Sequence, residues 1–564
     1  MRRRLAALPL LAVPILALAA ALTGADGVRT AGAVAAADPL AVEAGFSALR
    51  AGGNAADAAV AVALALAVVH PEAGNLGGGG FAVIRQGGEV RALDFRETAP
   101  AGATRDMFLA PDRSPVPERS LVGPLAAGVP GSPAGLYELH RACGRLPWRD
   151  VVAPAIDLAR RGFPVGEHLS RSIEDKADLL SRFRETSRIW LPRGHAPRPG
   201  TVMRLPILAG TLEAYARRGP RAILEGPAAE AIVRASRRHG GILTARDLAA
   251  YEPVWREPIR FEAFGWEIAS MPLPSSGGIL LGETLGLVER LGYDEIPRDD
   301  AARGHLLVEA WRRAFADRFL LGDPATTRAS AAALLAPARL DALAAGVPRE
   351  RASLSRDAEP GSLLPGAERR ETTHLSVVDG DGDAVAMTVT LNGNFGCGLL
   401  VPEVGFLLNN EMDDFATAPG RPNLWGLVQG EANAVAPGKR MLSSMAPTIA
   451  WRGRDVLVLG SPGGSHIPTA TAQVLLNVVV DGDRLSGAVE RPRIHHQWLP
   501  DEVAAEPAWP DEARRALEAL GHRVVEEDRI GEVHAVRRRA DGTIEAAADP
   551  RGPGASGVEP GRRP

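Results

Sequence analysis

The sequence contains very little lysine and cysteine, and it has no excess of positive charge. Among 564 residues, 64 are lysine or arginine and 68 are acidic, which gives a net charge of −4. Lysine occurs only at Lys176 and Lys439, so arginine carries almost all of the positive charge. This balance excludes a nucleic-acid-binding footprint and a polybasic membrane patch. The two cysteines, Cys143 and Cys397, are too few for a disulfide framework.

Several familiar site motifs are absent as well. The glycine run 77–80 lacks the Gly-Lys-Ser/Thr ending of a P-loop and the acidic residue of a dinucleotide fold. The run 379–383 resembles the start of a calcium loop, but Ala384 stands where that loop needs glycine, so a hairpin turn is predicted. His495 and His496 have no partners at metal-ligand spacing, which favours a structural role.

The N-terminus has the layout of an export signal. Arg2, Arg3 and Arg4 precede an apolar run from 5 to 22, and small residues follow. Residues 1–27 are therefore predicted to be a signal peptide. A retained N-terminal membrane anchor is the alternative, because the apolar run is nearly long enough to span a bilayer. In either case the protein is expected to be exported, either to the periplasm or out of the cell.

The most informative stretch is Glu371-Thr372-Thr373-His374, which places hydroxyl groups at the start of an alternating strand pattern. The preceding run 359–370 holds two prolines, two glycines and several charges, a composition typical of a loop. If the chain is cut before Thr372, that threonine gains a free α-amine, a group whose ordinary pKa is about 7.7 to 8.0. One residue would then supply both the nucleophile and the general base. The alternative is that both threonines are ordinary strand residues.

The rest of the chain alternates between helix and strand patterns. Asn54 precedes an unbroken apolar run that predicts a buried helix, and the ranges 81–84 and 90–95 predict paired strands. The middle, from Pro133 to about Ala345, is predicted to be mostly helical. The pattern becomes strand-rich from Thr372 onward. Further strands are predicted at 448–450 and 456–459, and a helix at 469–479. A helix-strand unit is predicted at 511–537 and a frayed terminus at 551–564.

Polar residues with coherent chemistry cluster in the last third of the chain. Thr388, Thr390 and Asn392 alternate, so they are predicted to lie on one face of one strand. The acids of the run 409–414 are suited to hold an ammonium group. The run 461–465 reads Ser-Pro-Gly-Gly-Ser, and its glycines would allow backbone N–H groups to approach a reacting carbonyl closely. Taken alone, each of these stretches is also compatible with an ordinary loop or turn.

Together these motifs resemble the gamma-glutamyltransferase (gamma-glutamyltranspeptidase) family of N-terminal nucleophile hydrolases. The resemblance runs from about residue 53 to residue 551, nearly the whole chain after the leader. The matching stretches are 53–59, 93–100, 271–278, 316–324, 372–392, 407–415, 442–447, 460–465 and 495–501.

The resemblance implies a role for each matching position. Thr372 would be the nucleophile of both self-processing, after Glu371, and catalysis. Thr390 would hydrogen-bond to the Thr372 hydroxyl, and the backbone N–H groups of Gly463 and Gly464 would form the oxyanion hole. The implied residues for binding the substrate's α-carboxylate are Arg96, Ser443 and Ser444, and those for binding its α-ammonium group are Asn392, Glu411 and Asp414.

Three positions depart from the usual family pattern. Residues 419–433 resemble the family's lid over the γ-glutamyl pocket, and Trp425 stands there in place of a smaller aromatic residue. Glu411 replaces the glutamine of many bacterial relatives, and Cys397 replaces a common threonine. The first two departures affect the expected acceptor choice or pH profile and leave the chemistry in place.

The resemblance also implies the fold and the reaction. The expected fold is an αββα sandwich of the α/β (α+β) class, with two stacked sheets flanked by helices. Residues 28–371 would form a large subunit and residues 372–564 a small one, and together they would build one sandwich. The expected substrates are glutathione and other γ-glutamyl compounds, with water, amino acids or dipeptides as acceptors. No metal or organic cofactor is required for this chemistry.

Two other enzymatic functions remain open within the same fold. A third alternative is a protein that is not an enzyme. A glutaryl-cephalosporin acylase would keep self-processing but bind an acyl group without an α-ammonium, which would leave buried acids unpaired. A poly-γ-glutamate hydrolase is disfavoured by the lid-like segment. A secreted, catalytically silent binding protein is disfavoured because Thr372, Thr390 and both glycines are present.

Overall fold

The protein is described by a computed structural model that covers residues 32–298, 300–357, 372–421, 423 and 426–560. The predictions for residues 1–27, for Glu371 and for Trp425 lie outside the described residues. Within them, no helix combines the length and the apolar character needed to cross a membrane.

Most of the helices of the described residues lie in the first two thirds of the chain. In order they are α1 (Pro39–Arg50), α2 (Ala55–Val69), α3 (Pro117–Leu121), α4 (Ser132–Cys143), α5 (Trp148–Arg161), α6 (Glu167–Asp175), α7 (Ala177–Ser181), α8 (Arg184–Trp190), α9 (Pro206–Arg218) and α10 (Arg221–Leu224). They continue with α11 (Gly226–Arg238), α12 (Ala245–Ala249), α13 (Gly277–Arg290), α14 (Ala301–Arg318), α15 (Ala331–Leu334), α16 (Pro337–Ala345), α17 (His466–Val479), α18 (Leu485–Glu490) and α19 (Asp511–Ala519).

The strands are distributed along the whole described chain. In order they are β1 (Gly32–Ala36), β2 (Gly79–Gln86), β3 (Glu89–Asp94), β4 (Phe163–Pro164), β5 (Val202–Met203), β6 (Val254–Arg256), β7 (Ile259–Ala263), β8 (Trp266–Ser270), β9 (Thr373–Asp379) and β10 (Ala384–Thr390). They continue with β11 (Leu400–Val401), β12 (Phe406–Leu407), β13 (Thr448–Arg452), β14 (Asp455–Gly460), β15 (Ile494–His495), β16 (Val503–Ala505), β17 (Val524–Glu526), β18 (His534–Arg538), β19 (Ile544–Ala548) and β20 (Ala555–Glu559).

Two large sheets form the centre of the molecule. The first has seven strands in the order β20-β1-β9-β10-β2-β3-β6, and the second has six in the order β19-β18-β14-β13-β8-β7. Neighbouring strands within both sheets run antiparallel. Each sheet combines strands from before and after Thr372, so a chain cut there would still share both sheets between its two pieces.

Three apolar layers hold the sheets and helices together. Side chains between the sheets, such as Phe81 from β2 and Ile449 from β13, form the middle layer. The outer face of the seven-stranded sheet packs against α1, α2 and α4, and the outer face of the six-stranded sheet packs against α13, α17 and α18. The order helix, sheet, sheet, helix is the predicted αββα sandwich.

Helix α2 shows how the sequence specifies one of these layers. All 15 of its residues are buried, as its apolar composition predicts for a helix covered on every side. Asn54 and Asp57 form a capping box at the start of the helix. Each side chain accepts a hydrogen bond from the other residue's backbone N–H, at 3.1 and 3.0 Å. Val69 is the last helical residue, and the turn that follows leads to β2 and the predicted paired strand β3.

The middle of the chain is mostly helical, as predicted, and it also contains short strands such as β7, in which apolar and polar residues alternate with the period of a strand. The expectation for the C-terminus was wrong. The C-terminal segment was expected to fray, yet β20 pairs with β1 from Ala36 opposite Ala555 to Gly32 opposite Glu559. The backbone hydrogen bonds that β20 gains by pairing with β1 stabilise this segment despite its glycine and proline content.

Candidate active site

Thr372 lies directly before β9, a central strand between β1 and β10. It is 9% exposed and lines a cleft of about 280 Å³. Thr390, the last residue of β10, lines the same cleft. The structure therefore brings the predicted nucleophile and its predicted hydroxyl partner to one end of two paired strands.

The prediction that Asn392 continues the strand was wrong. Strand β10 ends at Thr390, and Asn392 has a φ of 73°, a left-handed backbone conformation that breaks the alternation. The Thr390 Oγ1 accepts a hydrogen bond from the Asn392 N–H at 2.8 Å, and Asn392 Nδ2 donates to the Asn410 carbonyl at 3.0 Å. Asn392 still reaches the cleft, but through a turn.

Glycines behind this turn allow it to sit close to β2. A Cβ on Gly78 would lie 2.1 Å from the Thr390 carbonyl oxygen, so only glycine fits there. Asn75 Nδ2 donates a hydrogen bond to the same carbonyl at 2.7 Å. The glycine run 77–80 thus supports the end of β10.

Arg96 follows β3 and is almost completely buried. Its guanidinium forms ion pairs with Glu411 and Asp414, and it lies 3.8 Å from the carboxylate of Glu97. Burial opposes the charge of Arg96, but Glu411 and Asp414 raise its pKa above the ordinary value. The predicted carboxylate-binding arginine and two predicted ammonium-binding acids therefore contact one another directly, and Arg318 completes the set on the cleft wall.

Arg318 is a cleft residue that the sequence analysis did not single out. It is the last residue of α14, it is 2% exposed, and its Nε donates to Ser276 Oγ at 3.1 Å. Its Nη1 has no hydrogen-bond partner within the described part of the chain. Burial lowers its pKa to about 10, which still leaves it charged at neutral pH. Its only sequence signal was its place in the matching stretch 316–324, since a helix-end arginine is usually solvated.

Glu97 is a second residue that the sequence analysis passed over. It is fully buried, and neither of its carboxylate oxygens accepts a hydrogen bond from a described residue. Burial raises its pKa to about 7, and burial likewise raises the pKa of Glu411 well above the ordinary value. Three acids thus lie around Arg96, with Arg318 on the same cleft wall, so the group contains one more acid than base, which favours a bound proton on one of the acids.

Ser443 and Ser444 lie on the cleft wall next to the turn before α13. The Ser443 carbonyl accepts hydrogen bonds from the backbone N–H of Ser276 at 2.8 Å and from its hydroxyl at 2.7 Å. Within the described residues, the Ser444 hydroxyl has no hydrogen-bond partner although it is buried. It is therefore available to a ligand in the cleft.

Gly463 and Gly464 connect β14 to helix α17. Their φ angles are 122° and 55°, values that side chains rarely permit. Gly464 lines the cleft, and Gly463 precedes it outside the cleft lining. The N-terminus of a helix attracts negative charge, which suits this position for an oxyanion. The role of both N–H groups in an oxyanion hole stays a prediction.

The segment predicted to form a lid holds one of the cleft acids in place. Asn423 Nδ2 donates to Asp414 Oδ1 at 3.2 Å, and Gln429 Nε2 and Asn433 Nδ2 donate to the Asp414 carbonyl at 3.0 and 2.6 Å. Leu427 lines the cleft from the same segment. The described part of the segment thus contacts the acid side of the cleft, and its role as a lid stays a prediction.

The remaining motifs have structural roles. The run 379–383 forms a hairpin turn in which Asp379 Oδ1 accepts from the backbone N–H groups of Asp381 and Asp383, both at 3.0 Å. His495 contacts Thr469 Oγ1 at 2.8 Å and Gln497 Oε1 at 3.0 Å. Cys143 and Cys397 are both buried free thiols.

Two stacked sheets lie between layers of helices, and a threonine directly before a central strand lines a charged cleft. These features define the N-terminal nucleophile hydrolase class. Comparison with known proteins gives the family. The family model described as Gamma-glutamyltranspeptidase matches residues 41–558. The chain therefore belongs to the gamma-glutamyltranspeptidase family, and the predicted fold and enzyme class are confirmed.

Individual relatives agree with this assignment. A glutathione hydrolase proenzyme of Escherichia coli (strain K12) is 43% identical over 92% of this chain and 90% of its own. A glutathione hydrolase proenzyme of Pseudomonas aeruginosa is 42% identical over 93% of this chain and 94% of its own. Among solved structures, the cephalosporin acylase from Bacillus halodurans superposes with a TM-score of 0.83 at 27% identity, covering 97% of this chain and 99% of its own.

Proposed function

We propose that the chain is the precursor of a gamma-glutamyltransferase and glutathione hydrolase in which Thr372 is the nucleophile of both self-cleavage and catalysis. The observation that carries this proposal is the convergence on one cleft of Thr372, Arg96 and Gly464, which come from three distant parts of the sequence. A nucleophile, a carboxylate-binding cation and a glycine N–H are the parts that acyl transfer from an amino-acid substrate requires.

Self-cleavage is an acyl shift within the chain. The Thr372 hydroxyl attacks the carbonyl carbon of Glu371, the Oγ–C ester bond forms, and the peptide C–N bond breaks as the Thr372 nitrogen takes up a proton. Water then hydrolyses the ester, which restores the hydroxyl and leaves a free α-amine on Thr372. The products are a large piece ending at residue 371 and a small piece beginning at residue 372.

Catalysis uses the α-amine that cleavage releases. This amine accepts the proton of the Thr372 hydroxyl, whose oxygen attacks the γ-carbonyl of the substrate. The N–H groups of Gly463 and Gly464 stabilise the resulting oxyanion, and loss of one such donor costs roughly 10² to 10³ in rate in comparable sites. The amine then protonates the leaving group. Water or an amino-acid acceptor resolves the γ-glutamyl ester.

The unused polar atoms of the cleft match the amino-acid head of a γ-glutamyl substrate. Arg318 Nη1 and the Ser444 hydroxyl are donors without a partner among the described residues, and Glu411 Oε2 is an acceptor without one. The two donors suit an α-carboxylate, and the acceptor suits an α-ammonium group. Buried polar groups are costly when unpaired, so a ligand that pairs all three binds with a clear advantage.

Glu411 Oε2, unpaired within the described residues, also weighs against the acylase alternative. The likeness to the Bacillus halodurans cephalosporin acylase favours that function as the second candidate. A glutaryl group has no α-ammonium, so it would leave Glu411 Oε2 without a partner. The acid excess around Arg96 is better matched by a zwitterionic head than by a purely anionic one.

The site of action and the assembly follow from the precursor design. We expect residues 1–27 to direct export, so that the enzyme acts in the periplasm or outside the cell. The pieces 28–371 and 372–564 would remain associated, because both large sheets contain strands from each piece. Amino acids or dipeptides are the expected acceptors, and neither the attack nor the proton transfers require a metal.

Two measurements test the proposal. Denaturing electrophoresis of the purified protein is expected to show two bands for wild type and one for Thr372→Ala, with a new N-terminus at Thr372. Activity on γ-glutamyl-p-nitroanilide is then compared with activity on glutaryl-7-aminocephalosporanic acid. Thr373→Ala serves as the matched control, which should still be cut and active. Release from the glutaryl compound alone would refute the substrate assignment, and an uncut yet active wild type would refute the mechanism.

A further inference from the structure

A cluster of two histidines and one glutamate lies outside the cleft and has no part in the reaction described above. His70 follows α2, Glu72 lies two residues further in the same turn, and His168 lies in the first turn of α6. One ligand atom from each of the three residues lies within 4.8 Å of the other two. We propose that His70, Glu72 and His168 bind a divalent transition metal ion, with Zn²⁺ as the best match.

The distances from Glu72 to the two histidines match those between the ligands of one metal ion. Glu72 Oε1 lies 3.3 Å from His70 Nδ1 and 3.1 Å from His168 Nε2. Ligand bonds of about 2.0 to 2.1 Å at tetrahedral angles place neighbouring ligand atoms about 3.3 Å apart. Both histidine nitrogens therefore already lie at about the ligand-to-ligand spacing of a zinc site, and one ion between the three side chains would contact all of them.

Glu72 gives the second and independent indication. Its side chain is 1% exposed, and neither oxygen accepts a hydrogen bond of adequate geometry from the described residues. A buried carboxylate in this condition is unfavourable unless a cation or donor pairs with it.

The two histidines differ in a way that suits metal uptake. His70 is buried, and its Nδ1 lies 3.3 Å from Glu72 Oε1. His168 is one-third exposed at its side chain, which gives an ion a path from solvent and leaves a position for water. Two histidines and one glutamate with an open fourth position form a recurrent zinc ligand set.

A second cluster of the same residue types provides a contrast. In His305, Glu309 and His522, the His305 Nδ1 contacts His522 Nε2 at 2.8 Å, and His305 Nε2 donates to the Pro348 carbonyl at 2.7 Å. The Glu309 carboxylate accepts from the Ser353 N–H at 2.9 Å and from Arg313 at 2.7 Å. Its ligand atoms are occupied and an arginine balances its charge, so we assign no metal to it.

The location gives the proposed ion a structural role. The turn that carries His70 and Glu72 also supports the cleft, because the Glu72 carbonyl accepts from the Phe395 N–H at 3.0 Å and Asn75 donates to the Thr390 carbonyl at 2.7 Å. An ion that ties this turn to His168 on α6 would hold the end of β10 in place. The proposal does not depend on the substrate assigned above.

Metal content and affinity test the proposal on tag-free, processed protein. After dialysis against a chelator, titration with ZnCl₂ is expected to show one bound ion per chain, with a Kd below about 10 μM, and to raise Tm by about 2 °C or more. Glu72→Gln and His168→Gln should each weaken Zn²⁺ binding by at least about 100-fold. His168 is partly exposed, so its variant should fold even if the buried Glu72 variant does not.

Two histidine variants serve as controls. His522→Gln alters the second cluster, and His195→Gln removes an exposed histidine. Both are expected to keep the wild-type Kd and stoichiometry. Absence of Zn²⁺ binding in wild type would overturn the proposal, as would undiminished binding in His168→Gln. Loss of binding in either control would also overturn it, because the ion would then lie elsewhere.

Discussion

Two buried clusters of arginines and acids differ sharply in how their charges are satisfied. The cleft cluster consists of Arg96, Glu97, Arg318, Glu411 and Asp414, so it has two bases and three acids. The C-terminal cluster consists of Arg493, Glu506, Asp549 and Arg551, so its two bases match its two acids. Both clusters are largely shielded from solvent. Comparing them therefore shows the effect of the acid-to-base ratio and of hydrogen bonding.

In the C-terminal cluster every carboxylate oxygen has a partner. Asp549 Oδ2 accepts from Arg493 at 2.7 Å and from the Val533 N–H at 2.9 Å, and its Oδ1 accepts from Arg551 at 2.9 Å. Glu506 accepts from Arg551 through both oxygens, at 2.7 and 2.6 Å. Burial opposes the charge of Asp549, but Arg493 and Arg551 lower its pKa below the ordinary value.

In the cleft cluster several atoms lack partners within the described residues. They are both oxygens of Glu97, one oxygen of Glu411 and one nitrogen of Arg318. A folded protein leaves such groups unpaired where a ligand or a proton is to pair with them. In the C-terminal cluster only Arg493 Nε lacks a partner among the described residues, so the unpaired carboxylate oxygens, and not burial alone, distinguish the cleft cluster from it.

The largest expected effect comes from Arg96→Lys. Lysine keeps the charge but lacks the planar fork that contacts two carboxylates at once. We expect kcat/KM for γ-glutamyl-p-nitroanilide to fall by at least about 10³-fold, or about 4 kcal/mol, with a small change in Tm. A large loss of Tm with unchanged activity per folded molecule would erase the distinction between the two clusters.

Asp549→Asn should give the opposite pattern. The variant removes a buried negative charge from between Arg493 and Arg551, which should reduce the free energy of unfolding by about 3 to 4 kcal/mol. The kcat/KM of the remaining folded protein should stay within about twofold of wild type. Urea unfolding and steady-state kinetics on the same preparation measure both quantities. A selective loss of activity would show that the C-terminal cluster also serves the reaction.

Glu97→Gln sharpens the comparison through pH. The pKa of Glu97 is raised by burial to about 7, so between about pH 4.5 and 7 the folded protein binds a proton that the unfolded chain has released. Stability should therefore fall as pH rises through this window, by up to about 3 kcal/mol in total, and level off above pH 7. The glutamine variant should lose the share of this slope that Glu97 contributes.

The pH experiment is cleanest in an uncut chain. The Tm is followed from pH 4.5 to 8 in the Thr372→Ala background, with and without Glu97→Gln. The exposed residue Glu403 provides the control Glu403→Gln, which should keep the slope of its parent. An identical slope with and without Glu97 would show that another group holds the cleft proton.

The family, the sandwich and most of the cleft residues were accessible from the sequence, because their motifs are local. The capping pair Asn54 and Asp57, the hairpin at 379–383 and the glycines before α17 each follow from short-range backbone chemistry. Arg318 and Glu97 were missed because nothing near them in the sequence marks them as unsatisfied. Asn392 was misplaced because the turn at the end of β10 depends on its contact with Asn410.

The sequence by itself determined which residues alternate, cap, turn and supply chemical groups, since these properties depend on neighbours a few positions away. Only the tertiary structure decided which charges meet and which remain unpaired. Arg96 meets Glu411 and Asp414 across more than 300 residues of chain, and that meeting depends on how two sheets stack. Electrostatic and hydrogen-bond partners are chosen by distance in space, for which separation along the chain is no guide.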